Sequence, residues 1–497
     1  MHILTLDMGT SGLKCTLFRR DGSPVQARVE PYGSAYPRPG WAQQDPNAYL
    51  HAATRAARAV MAASGIRPGR VAAVGLSGTM NGMIPVDGEG NPLYDNLIHS
   101  DGRGAAYLDR IAGACPGPAY ASLTGHRLDC HYSLPKILWF REREPERYRC
   151  ARFFLNTKDY VYARLTGTAG VTDPSDASLT GAFDLAKRRW ATELLRELGV
   201  EPALMPEIRP STDASGRLLP AWAEALGLAA GTPVVLGGGD GACATRGSGI
   251  ARPGQAYAYV GSSAWVATLS PAPLADDRLF HFCDLDGEHV CPVGTVQCGA
   301  AAFDWARALL VPEMGDDFAR IDALAASAPP GAAGAFFLPY LMGERTPHWD
   351  PDARGGWVGA SLFHRREHLL RAVYEGVAYA LRNALDLLQA AGAPVENLAL
   401  IGGGAKSPFW SQLMADIFAK PVRVHRSPGE ATSLGSAMAA GVGVGLFDWR
   451  GAANLAAHRP PVPPEPAASQ AYAPRYRLYN QLYPALRETY AAIAQLE

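Results

Sequence analysis

Two stretches of the chain share one pattern, in which a strand, a short turn of small residues and a second strand follow each other. The first covers residues 3–18, with its turn at 9–12, and the second covers residues 256–269, with its turn at 261–263. Elsewhere, apolar runs typical of strands alternate with segments typical of helices, which predicts an α/β fold of doubly wound sheets with ligands at the carboxyl ends of the strands. The repeated hairpin predicts two similar domains, residues 1–243 and 244–497, with the boundary near Asp240.

Length and composition narrow the class of protein. The 497 residues suffice for two or more domains with separate cores. Apolar residues make up 48% and charged residues 19%, as in soluble globular proteins, and the net charge of −1 gives no general attraction for nucleic acid or an anionic membrane. No run approaches the roughly 18 apolar residues of a spanning helix, and the early first strand leaves no room for a signal peptide.

The eight cysteines are scattered and form no C-x-x-C pair. Zinc ligation or a disulfide framework stays open, but reduced core thiols are favoured. We therefore expect a cytoplasmic protein.

The opening hairpin carries the first functional signal. Asp7 ends the first strand and Lys14 lies in the second, while Thr10 and Ser11 lie in the turn between them. Such a turn can direct N–H groups and hydroxyls at a phosphate, and the neighbouring acid suits a hydrated Mg²⁺ ion. An ordinary hairpin is the alternative, because turns of this composition are common.

Two more glycine-rich turns follow strand-like runs. Residues 237–239 lead to Asp240, and residues 402–404 lead to a helix that Ser407 opens and that ends before Pro421. Glycines let the backbone approach a ligand closely, although a tight structural connection explains each turn equally well. Neither turn has the GxGxxG pattern of dinucleotide sites. Three such turns in one chain, two of them flanked by acids, favour a nucleotide ligand.

Together these motifs resemble the FGGY carbohydrate kinases, a family of the sugar kinase/Hsp70/actin superfamily. The resemblance covers nearly the whole chain and rests on Asp7 to Ser11 with Lys14, and on residues 135–139, 237–240, 355–375 and 402–404. It implies two ribonuclease H-like (actin-like ATPase) domains with a central cleft. It also implies an ATP-dependent kinase that uses Mg²⁺, takes a small-molecule sugar and commonly forms a homodimer, although the residues themselves leave the oligomeric state open.

The resemblance also implies roles for individual residues. Asp240 matches the general base, and Asp7 matches the acid that orients Mg²⁺ through water. The first phosphate loop corresponds to Thr10, Ser11 and Lys14. The second phosphate loop corresponds to Gly261, Ser262 and Ser263. The adenosine side corresponds to Gly403, Gly404 and Ser407.

The acceptor side is where the chain departs from the family. Residues 337–341 and 343–348 are similar to the branch that phosphorylates D-xylulose, but that branch usually has Gln-Met-His-Gly where this chain has Thr79-Met80-Asn81-Gly82. Met80, Asn81 and Asp101 match substrate-binding positions. A left-handed turn residue is the alternative for Asn81, and an exposed ion pair is the alternative for Asp101. D-xylulose is the first candidate acceptor, followed by L-xylulose, ribulose or another short ketose or erythritol-like polyol.

Two other classes of protein are weighed against the kinase. An actin- or chaperone-like ATPase shares the phosphate hairpins but does not need Asp240 or the segments around Lys136 and Arg345. A catalytically silent sugar-binding relative is expected to lose Asp7 or Asp240, and both are present. The sequence therefore favours a sugar kinase.

Overall fold

The computed structural model describes residues 1–496. Its strands are β1 (His2–Met8), β2 (Gly12–Arg19), β3 (Pro24–Pro31), β4 (Gln43–Gln44), β5 (Val71–Gly78), β6 (Ile84–Val86), β7 (Asn96–Leu97), β8 (Phe153–Leu155), β9 (Val171–Thr172), β10 (Phe183–Asp184), β11 (Arg189–Trp190), β12 (Glu207–Ile208), β13 (Gly216–Arg217), β14 (Pro233–Gly239), β15 (Gly254–Val260), β16 (Ala264–Thr268), β17 (Phe280–Cys283), β18 (Val290–Val296), β19 (Phe336–Leu338), β20 (Gly356–Val358), β21 (Val395–Ile401) and β22 (Val422–Val424).

The α-helices are α1 (Pro46–Ser64), α2 (Leu108–Ala114), α3 (Gly117–Thr124), α4 (Ser133–Arg143), α5 (Pro145–Cys150), α6 (Thr157–Thr166), α7 (Pro174–Ser178), α8 (Thr192–Glu197), α9 (Pro220–Leu226), α10 (Asp240–Gly247), α11 (Ala300–Leu310), α12 (Phe318–Ser327), α13 (Arg366–Ala390), α14 (Pro408–Phe418), α15 (Ala431–Gly443), α16 (Trp449–Ala453) and α17 (Pro466–Ala494).

Two six-stranded sheets organise the chain. The N-terminal sheet has the order β13-β14-β5-β1-β2-β3, and the C-terminal sheet has the order β17-β18-β16-β15-β21-β22. In each sheet an antiparallel hairpin, β1–β2 or β15–β16, continues into two further strands that run parallel to its first strand. This repeated arrangement confirms the predicted α/β fold with two similar halves.

The central strands are apolar because both of their faces are covered. Residues 3–6 of β1 are all buried, as expected for a strand with helices on both sides of its sheet. The same strand places Asp7 opposite Lys14 in the hairpin register. An apolar strand therefore delivers one acid to the carboxyl end of the sheet.

Helix α1 has the signals that the sequence contains. The side chain of Asp45 caps it by accepting a hydrogen bond from the Asn47 N–H, and Gly65 ends it in the left-handed conformation. The inward face of α1 carries five buried residues: Leu50, Ala53, Ala57, Val60 and Met61.

Helix α15 packs across the predicted domain boundary. Its residues Leu434, Ala437 and Met438 share a buried cluster with Ile3 and Val235 of the N-terminal sheet. Helix α15 also crosses α10, the helix that begins at Asp240. The division at residues 243 and 244 stays a prediction, since a helix from the second half covers the first sheet.

In the described part of the chain, the eight cysteines are all free thiols, and five of them are buried. None of the helices within residues 1–496 is long and apolar enough to cross a membrane.

Candidate active site

A cleft of about 1130 Å³ lies where the carboxyl ends of β1, β14 and β15 meet. We call it the central cleft. Seven of the residues given a role from the sequence line it: Asp7, Thr10, Ser11, Lys14, Asp240, Ser262 and Ser263. Both predicted phosphate turns and both predicted acids therefore contribute to one cavity.

The first turn presents exposed hydroxyls to the central cleft. The N–H of Gly9 donates to the carbonyl of Gly12 at 3.0 Å, which closes the turn and leaves Thr10 and Ser11 exposed at its tip. Within residues 1–496 their hydroxyls form no hydrogen bond, so both are available to a ligand.

Lys14 interacts with the segment that contains Gly429 and Glu430. Its Nζ lies 3.3 Å from a carboxylate oxygen of Glu430 and donates to the carbonyl oxygen of Gly429. Thr16 on the same strand donates to the other Glu430 oxygen at 2.8 Å. The opening hairpin is thus tied to the segment that precedes α15.

The second turn repeats the first at the other sheet. The N–H of Gly261 donates to the carbonyl of Ser263 at 3.0 Å, and the Gly299 N–H donates to the carbonyl of Ser262 at 2.8 Å. Ser262 is exposed and Ser263 half-buried, and both line the cleft, whereas Gly261 does not. Strand ends from both sheets therefore offer serine or threonine hydroxyls to the same space.

Asp240 begins helix α10 and faces the cleft. Burial raises the pKa of this carboxyl to about 7, and the nearby charge of Asp7 adds to the increase. One carboxylate oxygen accepts from the Gly241 N–H at 2.8 Å. A carboxyl group with such a pKa can accept a proton near neutral pH, as a general base must.

A buried polar network holds the turn before Asp240 from behind. The N–H of Gly239 donates to the hydroxyl of Ser175 at 2.9 Å, and that hydroxyl donates to Asp173 at 2.6 Å. Asp173 also pairs with the fully buried ammonium of Lys158 at 2.9 Å. A Cβ on Gly239 would lie 2.5 Å from the Met80 side chain, so a larger residue here would displace that side chain.

Asp7 offers the cleft a carboxylate beside the phosphate turn. Burial raises its pKa, and the charge of Lys14 opposes that rise. Ser433 donates to it weakly, at 3.5 Å. A half-buried carboxylate next to exposed hydroxyls fits Mg²⁺, which binds one or two carboxylates together with water and phosphate oxygens.

The predicted acceptor residues lie behind the cleft wall. Met80 is 6% exposed and packs under the Asp240 turn. Asn81 has the left-handed conformation (φ 63°) weighed in the sequence, and its Oδ1 is buried without a hydrogen bond in the described residues. Only Thr79 of this segment lines the cleft.

Asp101 lies in an ion pair that is fully buried, in contrast to the exposed pair considered from the sequence. Its carboxylate is 2.8 Å from the guanidinium of Arg103 and also accepts from the Ala42 N–H at 2.7 Å. With both oxygens engaged, Asp101 can shape the acceptor side through these neighbours. Direct sugar contact by Met80, Asn81 or Asp101 stays a prediction.

The predicted adenosine residues lie after β21 and outside the cleft lining. Gly403 is exposed. Ser407 accepts from the Trp410 N–H at 3.0 Å, which caps α14, and donates to Asp322 at 2.6 Å. Helix α14 thus begins where the sequence predicts, while the adenosine contacts stay a prediction.

Several cleft residues were not assigned a role from the sequence. They come from loops of both halves: His99, Ser100, Asp129, Cys130 and His131, and Gln297, Glu344 and Arg345. Burial lowers the pKa of His131, but the hydrogen bond with Asp129, at 2.5 Å, the hydrogen bond with Cys130 and the charge of Asp129 together raise it to about 9. Only the segment around Arg345 was noted in the sequence, and then for its resemblance alone.

The chain is similar to known carbohydrate kinases. Models of the N-terminal and C-terminal domains of the FGGY family of carbohydrate kinases match residues 2–247 and 256–444. A xylulose kinase of Escherichia coli K12 is 32% identical over 494 residues, which are 96% of this chain and 99% of that one.

Two solved structures share the fold over their whole length. A ligand-bound xylulose kinase from Lactobacillus acidophilus has a TM-score of 0.90 and 27% identity, with 99% of each chain covered. A gluconate kinase from the same organism has a TM-score of 0.89 and 26% identity, again with 99% of each chain covered. The two-domain, actin-like ATPase fold implied by the sequence is thereby confirmed.

Proposed function

The chain belongs to the FGGY family of carbohydrate kinases, and we propose that it transfers the γ-phosphate of ATP to D-xylulose, giving D-xylulose 5-phosphate. The observation that carries the proposal is the single cleft in which Asp240 meets two phosphate-type turns. The similarity to xylulose kinases over nearly the whole chain supports the choice of acceptor.

Asp240 acts as the general base in this proposal. A sugar hydroxyl approaches the γ-phosphorus while the carboxylate of Asp240 accepts its proton. The hydroxyl oxygen forms the new bond to phosphorus, and the bond from phosphorus to the ADP oxygen breaks. The pKa of about 7 keeps a large fraction of Asp240 ionised at neutral pH while leaving it basic enough to accept the proton.

The phosphate turns bind and orient the nucleotide. The hydroxyls of Thr10 and Ser11 and those of Ser262 and Ser263 face the cleft from opposite sheets, so they can hold the phosphates between them. Asp7 would hold Mg²⁺ through water. When bound, that ion neutralises phosphate charge as the terminal phosphoryl group is transferred.

Gluconate is the second candidate acceptor. Arg345 lines the cleft and forms no ion pair within residues 1–496, whereas the charge of His131 is balanced by Asp129. An unpaired guanidinium suits the carboxylate of an aldonic acid better than a neutral ketose. The gluconate kinase of nearly equal structural similarity favours the same alternative.

A coupled assay of ADP release separates these acceptors. D-xylulose, L-xylulose, ribulose, erythritol and gluconate are compared by kcat/KM, with the Asp240→Asn variant as the matched control. We expect the highest value for D-xylulose, and a loss of roughly two orders of magnitude or more in turnover for Asp240→Asn with ATP binding retained.

A highest kcat/KM for gluconate would transfer the proposal to the second candidate. ATP hydrolysis that is independent of every acceptor would instead indicate an actin-like ATPase. Near-normal turnover of Asp240→Asn would remove this residue from the role of base.

A further inference from the structure

Lys136 is a buried cation that the proposed reaction does not use. It lies on α4 with 0% exposure. Its Nζ donates to the backbone carbonyl oxygens of Asn81, Ile98 and His131, each at 2.7 Å. Because an ammonium group has three N–H donors, every donor is engaged. No carboxylate within residues 1–496 forms an ion pair with it.

The three carbonyls belong to three separate segments that reach the central cleft. Asn81 follows Thr79, which lines the cleft. Ile98 directly precedes two lining residues, His99 and Ser100, and His131 is itself a lining residue. The Lys136 ammonium therefore joins the backbones of three cleft-wall loops at one point.

One of these segments has a left-handed turn. Asn81 adopts φ 63°, a conformation that asparagine adopts more readily than most residues with a side chain. The hydrogen bond from Lys136 fixes the Asn81 carbonyl, and Ser133 on the same helix donates to the next carbonyl, that of Gly82, at 2.8 Å. The first turn of α4 thus holds the loop at residues 79–82 through two hydrogen bonds. This loop is where the chain differs from the family pattern.

The three carbonyl acceptors favour the charged form of this lysine. Burial lowers the pKa of the Lys136 ammonium to about 7, and Asp101, Cys130 and Asp129 oppose this fall without pairing with it. Burial of a charge is unfavourable unless hydrogen bonds compensate it. Three convergent carbonyls provide that compensation, and no uncharged side chain has three donors at one atom.

We propose that Lys136 is a positioning residue, which joins the loops at Asn81, Ile98 and His131 into one rigid acceptor-binding wall. The inference rests on the proposed function, because it assigns the wall to the sugar and not to ATP. The phosphate turns at 9–12 and 261–263 have no contact with Lys136 among its three hydrogen bonds. Loss of Lys136 should therefore affect the two substrates differently.

Steady-state kinetics with Lys136→Met test this difference, since methionine has a similar length but no donor. We expect kcat/KM for the acceptor to fall about 10- to 100-fold, as for the loss of several hydrogen bonds, with the KM for ATP unchanged within about twofold. Lys136→Gln retains two donors and should lie between Lys136→Met and the wild type. It also serves if Lys136→Met does not fold.

Lys420→Met is the matched control. Lys420 also donates to a backbone carbonyl, that of Val395 at 3.3 Å, at the end of β21 remote from the cleft. We expect this variant to keep wild-type values for both substrates. Equal losses for the acceptor and ATP in both Lys136 variants would overturn the positioning role, and so would an unchanged acceptor kcat/KM.

Amide hydrogen exchange gives a second readout that needs no turnover. In Lys136→Met, or in Lys136→Gln if the former does not fold, we expect faster exchange in segments 79–83, 98–101 and 129–133, with unchanged exchange in strands β1 and β15. Unchanged protection of the three segments would contradict the proposal. If the wild type prefers gluconate, the D-xylulose assignment fails, but the same kinetics with gluconate still test Lys136.

Discussion

Two acids of the central cleft differ in their surroundings, and the difference separates their roles. Burial and the nearby charge of Asp7 raise the pKa of Asp240 to about 7, although the N–H donated by Gly241 opposes the rise. Asp7 lies in a strand opposite a lysine, whose charge opposes the effect of burial on its pKa. The first environment suits a proton acceptor, and in the second the lysine favours the ionised form of Asp7, which can hold a cation.

The pH dependence of the reaction should report Asp240. Its carboxylate must be ionised to accept a proton, and the raised pKa means that it is protonated as the pH falls below about 7. We expect kcat/KM for the acceptor to fall about tenfold per pH unit on the acid side, with a midpoint at or below pH 7 because a bound cation lowers the pKa. The residual activity of Asp240→Asn should lack this acid limb. A wild-type rate that rises as the pH falls would contradict the assignment.

Replacement of Asp7 should change the metal requirement. For Asp7→Asn we expect the Mg²⁺ concentration at half-maximal rate to rise about tenfold or more, together with lower turnover, because a carboxylate ligand is lost. Titration of MgCl₂ at fixed ATP measures this. Asp304→Asn, which changes an exposed acid of α11, is the control and should behave as the wild type. An unaltered Mg²⁺ dependence in Asp7→Asn would remove the metal role.

At the scale of elements, the crossing of α10 and α15 depends on close backbone contact. A Cβ on Gly435 of α15 would lie 1.9 Å from the carbonyl oxygen of Cys243 in α10. We expect Gly435→Ala to lower the free energy of unfolding by about 1–3 kcal/mol, because the helices must separate. Denaturant unfolding measures this.

Gly113→Ala is the matched control for Gly435→Ala. Gly113 also lies in a helix, α2, but a Cβ there meets nothing within 4 Å. Its replacement should be neutral or slightly stabilising, because alanine favours the helix. Equal unfolding midpoints for the two variants would show that α10 and α15 are less tightly packed than described.

The elements were predictable where the signal is local. The Asp45 cap and Gly65 stop of α1, the two hairpins, and the turns that carry Asp7 and Asp240 all depend on neighbours in sequence. The pairing of Lys14 with Glu430 and the arrival of His131 and Arg345 in one cleft do not, since they join segments that only tertiary packing brings together. Spacing in the sequence also does not show whether an ion pair is exposed or buried. Asp101 and Arg103 are two residues apart, and the structure shows that their ion pair is fully buried.

At the scale of the molecule, the cleft must close for phosphoryl transfer without hydrolysis. Its volume of about 1130 Å³ and its lining from both sheets leave space for two substrates and for water. We expect the radius of gyration from small-angle X-ray scattering to fall when the acceptor and a non-hydrolysable ATP analogue bind together. Asp240→Asn should contract equally, because closure precedes the chemistry. An identical radius with and without both ligands would contradict closure.

The contact between Lys14 and Glu430 has a consequence for product release. Before any nucleotide arrives, the lysine that is proposed to bind phosphate already holds an anion of its own chain, which Thr16 also retains. An incoming γ-phosphate would compete with the Glu430 carboxylate for Lys14. The net contribution of Lys14 to phosphate binding is therefore the difference between its binding free energies for phosphate and for Glu430. Once the phosphoryl group has moved to the sugar, Glu430 can form its ion pair with Lys14 again. Glu430 would then compete with ADP for Lys14, which would favour the release of ADP at the end of each cycle.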